Sequence, residues 1–69
     1  MQIFDEISKV YNERINLDIP SEQARIFSDD KFTKIDRNLL QELHSQGLID
    51  LWITNGFALT DYGIKQTSN

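Results

Sequence analysis

Six polar residues between positions 31 and 41 have side chains of the types that contact nucleic acids. Arginine pairs with guanine, asparagine and glutamine pair with adenine, and lysine and threonine reach phosphate oxygens. The candidate DNA-binding residues are Lys31, Thr33, Lys34, Arg37, Asn38 and Gln41. The same residue types occupy the outward side of an ordinary surface helix, so the pattern alone leaves both interpretations open.

The charge distribution singles out the same stretch. The chain has a formal net charge of −4 and a pI near 4.6, which opposes binding to phosphates. When the chain is divided after residues 14, 30 and 41, only residues 31 to 41 have a positive balance, with three basic side chains and one acidic. We therefore expect any contact with DNA at this stretch, and expect a single copy of the chain to bind weakly.

A helix predicted over residues 34 to 46 positions most of these side chains. Thr33 and Asp36 form a capping box in which Asp replaces Glu. An apolar stripe at helical spacing follows, made up of Ile35, Leu39, Leu40 and Leu43. Gly47 can adopt the left-handed conformation that closes a helix, and Leu48 is placed to contact Leu43.

A β-hairpin is predicted directly after this helix. Two strand-like runs, residues 49 to 54 and 57 to 60, flank Asn55-Gly56, and both residues of such a turn have positive φ. One face of the hairpin then carries Trp52, Thr54, Phe57 and Leu59, with Trp52 opposite Leu59. We expect Trp52 in the core, whereas Leu51 and Ile53 face outward as candidate protein-interface residues.

The first helix and its exit are predicted before residue 20. Residues 2 to 14 have the apolar spacing of an amphipathic helix. Residues 15 to 19 alternate with period two, which predicts a short strand or an extended connector that pairs with the hairpin edge. Pro20 ends this segment.

A short second helix is expected from Ser21 to about residue 27. Ser21 is its candidate cap, and Ala24 and Phe27 face inward. Phe32 returns to the core before the capping box, and Thr60 is a further candidate cap. Residues 65 to 69 are expected to form a frayed tail.

The order helix, Gly47-Leu48-Ile49, hairpin and Leu59-Thr60-Asp61-Tyr62-Gly63 resembles the second half of a winged helix-turn-helix domain. The resemblance implies a mainly α fold with a small β-hairpin (α+β), with three helices plus a two- or three-stranded antiparallel wing sheet. It also implies a transcriptional regulator whose helix at residues 34 to 46 reads the major groove of duplex DNA. The tip at residues 54 to 56 is uncharged, unlike wings in which Arg or Lys touches DNA.

A second interpretation keeps the fold and changes the partner. A winged-helix domain can also be a protein–protein interaction module or inhibitor that does not bind DNA. The acidic surface and the outward pair Leu51 and Ile53 would then contact a basic or apolar partner. Under either interpretation the chain could act as a homodimer.

Other classes of function lack sequence support. There is no Gly-rich phosphate loop, acid–base pair or nucleophile arrangement, so we expect no enzyme, small-molecule substrate or cofactor. His44 is the only histidine and is interpreted as a cap near a helix end, and Asp29-Asp30 as a solvated turn, so no metal site is predicted. Cysteine is absent and no signal-like or membrane-spanning run occurs, which is typical of a cytoplasmic protein without membrane contact. The length of 69 residues predicts one domain over residues 1 to 69.

Overall fold

A computed structural model describes residues 3–29, 32, 34–53 and 56–67. These residues form a mixed α+β structure with four helices and three strands. The helices are α1 (Ile3–Asn16), α2 (Ser21–Ala24), α3 (Arg37–Ser45) and α4 (Asp61–Thr67), and the strands are β1 (Ile26–Phe27), β2 (Ile49–Leu51) and β3 (Phe57–Leu59). The strands form one antiparallel sheet in the order β1-β3-β2. Within the described ranges, no helix has the length and apolar character needed to cross a bilayer.

The first helix is confirmed from Ile3 onward, residue 2 lying outside the described ranges, but the prediction that residues 15 to 19 form a short strand or extended connector paired with the hairpin is wrong. α1 continues to Asn16, and the Leu17 N–H still donates to the Glu13 carbonyl at 3.1 Å. The chain then leaves the helix at Asp18, whose φ of 63° is one that aspartate tolerates better than most residues. The alternating residues thus form the last turn of α1 and its exit, because helical hydrogen bonds satisfy their backbone.

The strand that pairs with the hairpin lies instead at Ile26–Phe27. α2 is a single turn, so the helix predicted to about residue 27 ends early, and an Ile-Phe pair suited to a strand follows it. Ala24 and Phe27 are fully buried, as predicted. Ser21 does not cap α2; its hydroxyl shares a hydrogen bond of 3.0 Å with that of Tyr11 and so ties α2 to α1.

Arg14 holds α1 against the segment that enters β1. Its guanidinium donates to the carbonyl oxygens of Ala24 at 3.1 Å and Ile26 at 2.7 Å. It also lies 4.6 Å from the centroid of the Phe27 ring and pairs with Asp29 at 3.1 Å. The Arg14 guanidinium therefore joins α1 to α2, to β1 and to Asp29 at once. A planar group with several donors can make these contacts together, whereas a lysine cannot.

The core lies between α1, α3 and the inner face of the sheet. Its buried apolar residues are Ile7, Tyr11, Ala24, Phe27, Phe32, Leu40, Leu43, Leu48, Ile49, Phe57 and Leu59. The rings of Phe27 and Phe57 are stacked with centroids 5.1 Å apart, and Phe32 meets Phe27 edge-on at 4.9 Å. These are favourable aromatic geometries, and they confirm that Phe32 returns to the core.

The hairpin is confirmed, but its register differs from the predicted one. Leu51 pairs with Phe57 and Ile49 with Leu59, so Trp52 is not opposite Leu59. The Trp52 N–H donates to the Gly56 carbonyl at 2.9 Å. Thr54 and Asn55 lie outside the described residues. The Asn-Gly pair therefore predicted the hairpin correctly but predicted the wrong pairing of residues between its two strands.

The changed register reverses the two faces of β2. A change of the pairing register by an odd number of residues moves every side chain of one strand to the other face of the sheet. Leu51 is half-buried and packs against the core beside Ile49, so the outward orientation predicted for it was wrong. Trp52, which we expected in the core, is 38% exposed on the outer face. Its ring covers Gly56, where a Cβ would lie 2.8 Å from the indole Cε3.

A helix extends into the residues that we predicted as a frayed tail. α4 extends to Thr67, and Thr60 caps it, as predicted, by accepting from the Gly63 N–H at 2.9 Å. The Thr60 hydroxyl donates to the Gly47 carbonyl, and the Thr60 N–H donates to the Leu48 carbonyl at 3.1 Å. The tail prediction is wrong as far as Thr67, because these bonds fix α4 to the end of α3; residues 68 and 69 lie outside the described ranges.

α4 approaches the rest of the chain closely because Gly63 has no side chain. A Cβ there would lie 2.1 Å from the carbonyl oxygen of Leu48. At the other end of α4, Thr67 is buried, and its carbonyl accepts from the Asn12 side-chain amide at 3.3 Å. α4 is thereby held against both α1 and the segment between α3 and β2.

Candidate nucleic-acid interface

The candidate interface starts at Asp36, the N-cap of α3. Its side chain accepts a hydrogen bond of 2.9 Å from the backbone N–H of Asn38 and lies at the positive end of the helix dipole. α3 therefore begins at Arg37, later than the predicted helix over residues 34 to 46. Thr33, the predicted cap, lies outside the described residues. As a consequence Lys34 precedes the helix, in a turn, and is exposed.

The end of α3 is as predicted. Gly47 has a φ of 78°, its N–H donates to the His44 carbonyl at 2.9 Å, and the Leu48 N–H donates to the Leu43 carbonyl at 3.1 Å. These are the two hydrogen bonds of a Schellman motif. They turn the chain directly into β2, so the length and direction of α3 relative to the hairpin are fixed by local bonds.

α3 has one buried face and one exposed face. Leu40 is completely buried and Leu43 nearly so, which fixes the rotation of the helix about its axis. Asn38 and Gln41, three residues apart and on the opposite side, are exposed. Leu39 belongs to the predicted apolar stripe but is 46% exposed, so the stripe is narrower than its sequence spacing indicated.

The hairpin lies along one flank of α3. The Arg37 Nη1 donates to the carbonyl of Trp52 at 3.3 Å, and the His44 Nδ1 donates to the carbonyl of Ile49 at 2.9 Å. Arg37 and His44 are seven residues apart, so they lie on the same flank of the helix, two turns from each other. Trp52, at the end of β2, is therefore beside the N-terminus of α3, and His44 contacts a strand carbonyl rather than one at the helix end.

The charges around α3 are balanced. Between residues 34 and 45 there are two basic side chains, Lys34 and Arg37, and two acidic ones, Asp36 and Glu42. Glu42 is exposed and lies one turn after Asn38. A phosphate backbone that approached the C-terminal half of the exposed face would meet this carboxylate, so the N-terminal half is the favourable side for an anion.

Four of the six predicted DNA-binding residues are described, and three of them fall on α3. Arg37 and Asn38 are in its first turn, Gln41 follows one turn later, and Lys34 immediately precedes the helix. Lys31 and Thr33 lie outside the described residues. Comparison with known protein families, with curated proteins and with solved structures finds no match for this chain.

The observed register gives the two predicted protein-interface residues, Leu51 and Ile53, different environments. Ile53 is 95% exposed at the hairpin tip, whereas Leu51 packs against the core. Sequence reasoning missed Trp52 and Ile26, which are 38% and 40% exposed, because the wrong register assigned Trp52 to the core and a helix was predicted through Ile26. Ile26 and Trp52 lie on the outer face of the sheet, on either side of β3.

Two ion pairs among the described residues lie away from α3. Asp29 pairs with Arg14 at 3.1 Å, Arg25 pairs with Asp61 at 2.6 Å, and Asp30 lies outside the described residues. In the described part of the chain, no three His, Asp or Glu side chains are grouped so that they could hold a metal ion.

Proposed function

We propose that this chain is a winged-helix protein that binds duplex DNA through the exposed face of α3. The observation that carries the proposal is that the N-terminal half of α3 presents Asn38 and Gln41 to solvent while Leu40 holds the helix on the core. The amides of Asn and Gln form paired hydrogen bonds with adenine in the major groove. In the proposal, Lys34 supplies a phosphate contact that sets the register of the helix on DNA.

The arrangement of the wing supports the same proposal. An antiparallel hairpin follows α3 after a tight turn, and its backbone is bonded to α3 through Arg37 and His44. β1 adds a third strand beside β3, which fits the two- or three-stranded sheet of the winged helix-turn-helix family that the sequence resembles. β1 follows α2, which is a position for the third strand that we did not predict.

The charge of the chain sets the expected strength of binding. With a net charge of −4, and with Lys34 and Arg37 as the described basic side chains beside the exposed face, one copy can neutralise only a few phosphates. We infer a regulator that occupies its operator as two copies on neighbouring half-sites, since a second copy doubles the base and phosphate contacts. The operator sequence would be read mainly by Asn38 and Gln41.

The proposal is tested by fluorescence anisotropy with a labelled mixed-sequence duplex of about 20 base pairs at several salt concentrations. The affinity should fall as salt rises, and Lys34→Ala should reduce the slope of log K against log salt by about 1. Lys9→Ala is the matched control, because Lys9 is also exposed but lies on α1. Absence of binding at low salt, or equal losses for Lys34→Ala and Lys9→Ala, would remove DNA binding from this face.

A second candidate function rests on Ile53. An isoleucine that is 95% exposed, beside a partly exposed Trp52, is the kind of apolar surface that a protein partner covers. In this alternative the hairpin tip docks on another protein and α3 does not contact DNA. Ile53→Ser should then abolish partner binding but leave stability unchanged, since the side chain is 95% exposed and contributes little to the core.

A further inference from the structure

An apolar groove lies on the other flank of α3, between α1, α3 and α4. Two adjoining hollows of about 490 and 290 Å³ share Phe4, Gln46 and Leu48 as lining residues. A third hollow begins at Ile3, which also lines the second. The apolar floor and walls include Ile3, Phe4, Ile35, Leu39, Leu48 and Tyr62.

The groove retains exposed apolar surface in the folded protein. Leu39 is 46% exposed and Tyr62 is 54% exposed, although both lie beside the buried Leu48. Leu39, Glu42 and Gln46 recur along α3 at helical spacing, so this flank of the helix faces the groove along two turns. A surface of this length matches two turns of a second helix laid along it.

The described residues at the rim of the groove carry charge of one sign. Asp5 and Glu42 line the second hollow, and Glu6 lines the third. Among the described residues that line the three hollows there is no Lys, Arg or His. The groove therefore combines an apolar floor with three carboxylates at its edge.

We infer that this groove binds a basic amphipathic helix of another protein. The apolar stripe of such a helix would cover Leu39 and Tyr62, and its flanking Lys or Arg side chains would pair with the rim carboxylates. A second copy of this chain fits poorly, because symmetric pairing of two grooves would place Asp5, Glu6 and Glu42 of one copy near the same residues of the other. The inference is independent of the proposed function, since none of the four described candidate DNA-binding residues, Lys34, Arg37, Asn38 and Gln41, lines the groove.

Three synthetic peptides of about 15 residues test the inference with the full chain. The first has leucines at helical spacing and lysines elsewhere. The second replaces each lysine with glutamate, and the third is a scrambled version of the first that keeps its composition but not its apolar stripe. The ordered lysine peptide should bind saturably in an anisotropy titration and bind at least about tenfold more tightly than either of the others.

Matched variants locate the binding site. Glu42→Lys should weaken binding of the lysine peptide by about fivefold at low salt, and Leu39→Ser by a similar factor. Glu13→Lys and Leu17→Ser are the controls, because Glu13 is exposed on α1 and Leu17 is 74% exposed outside the groove. Each control should stay within about twofold of the original chain.

Four outcomes would overturn the inference. They are no saturable binding of the ordered lysine peptide, equal binding of the scrambled or glutamate peptide, equal losses in the control variants, and a concentration-dependent dimer in sedimentation that Leu39→Ser abolishes. The last result would assign the groove to a second copy. Peptide binding without any DNA binding would refute the proposed function and leave the groove inference standing.

Discussion

Replacing Gly63 with alanine should destabilise the protein even though alanine favours helices. The new Cβ would lie 2.1 Å from the Leu48 carbonyl oxygen, whereas ordinary contacts start at 3.4 Å, so α4 must move by roughly 1 Å. Moving α4 away from the end of α3 stretches the hydrogen bond of 3.1 Å from the Thr60 N–H to the same carbonyl.

The expected magnitude follows from three contributions. Overpacking of this kind costs about 1 to 3 kcal/mol. The weakened hydrogen bond at Thr60 adds about 1 kcal/mol. The higher helix propensity of alanine offsets about 1 kcal/mol. The net loss of about 1 to 3 kcal/mol is large for a 69-residue chain, whose total stability is about 3 to 10 kcal/mol.

Urea unfolding followed by circular dichroism measures this loss. Lys65→Ala, an exposed position in the same helix, should change the free energy of unfolding by no more than about 0.5 kcal/mol. Gly47→Ala should cost about 1 kcal/mol from its positive φ alone, because nothing lies within 4 Å of a Cβ there. A Gly63→Ala protein as stable as the original chain, or more stable, would refute the packing of α4 against Leu48.

Two further perturbations test the start of α3 and the register of the hairpin. Asp36→Ala should lower the free energy of unfolding by about 1 kcal/mol, because it removes the N-cap of α3. Asp36→Asn should retain most of this stabilisation, because asparagine is also a good N-cap. Equal losses for the two variants in urea unfolding would contradict capping by this side chain. Leu51→Asp should destabilise the protein by more than about 2 kcal/mol because it places a charge beside the core, whereas Ile53→Asp should cost less than about 0.5 kcal/mol. Equally small losses for the two variants would instead support the register predicted from sequence, in which both side chains face outward.

The parts of the fold that depend on local rules were predictable. The helical spacing before residue 14 and the Gly47-Leu48 stop required only residues close in sequence, and both are confirmed. The inward positions of Ala24 and Phe27 were also correct, although the backbone around Phe27 was assigned to the wrong element. Burial is set by the apolar character of a side chain, whereas the choice between helix and strand at Ile26 depends on pairing with β3, more than 30 residues later.

The errors arise where distant contacts decide the structure. The register of the hairpin changed because Leu51 and Phe57 both point into the core, a constraint that the Asn-Gly signal does not contain. The polar sequence of α4 resembled a tail, since its stability comes from the Thr60 cap and the close approach at Gly63 rather than from an apolar stripe.

The candidate site was predictable in part. Asn38 and Gln41 are exposed as their helical positions required. The bond from Arg37 to the Trp52 carbonyl was not predictable, because it depends on the hairpin tip lying beside the first turn of α3. The groove was missed as well, since it brings together residues from both ends of the chain and the middle, such as Phe4, Leu39 and Tyr62.

Amide NMR of the isotope-labelled chain, titrated with a mixed-sequence DNA duplex, tests the proposed function most directly. Non-specific contacts are carried by phosphates, so binding should be visible at low salt without the operator. The account predicts that the amide resonances of Lys34 and of residues 37 to 41 shift at low salt and return to their original positions at moderate salt. The amide resonances of Phe4 and Tyr62 should not shift. No shift at low salt, or shifts confined to α1 and α4, would contradict DNA binding through α3.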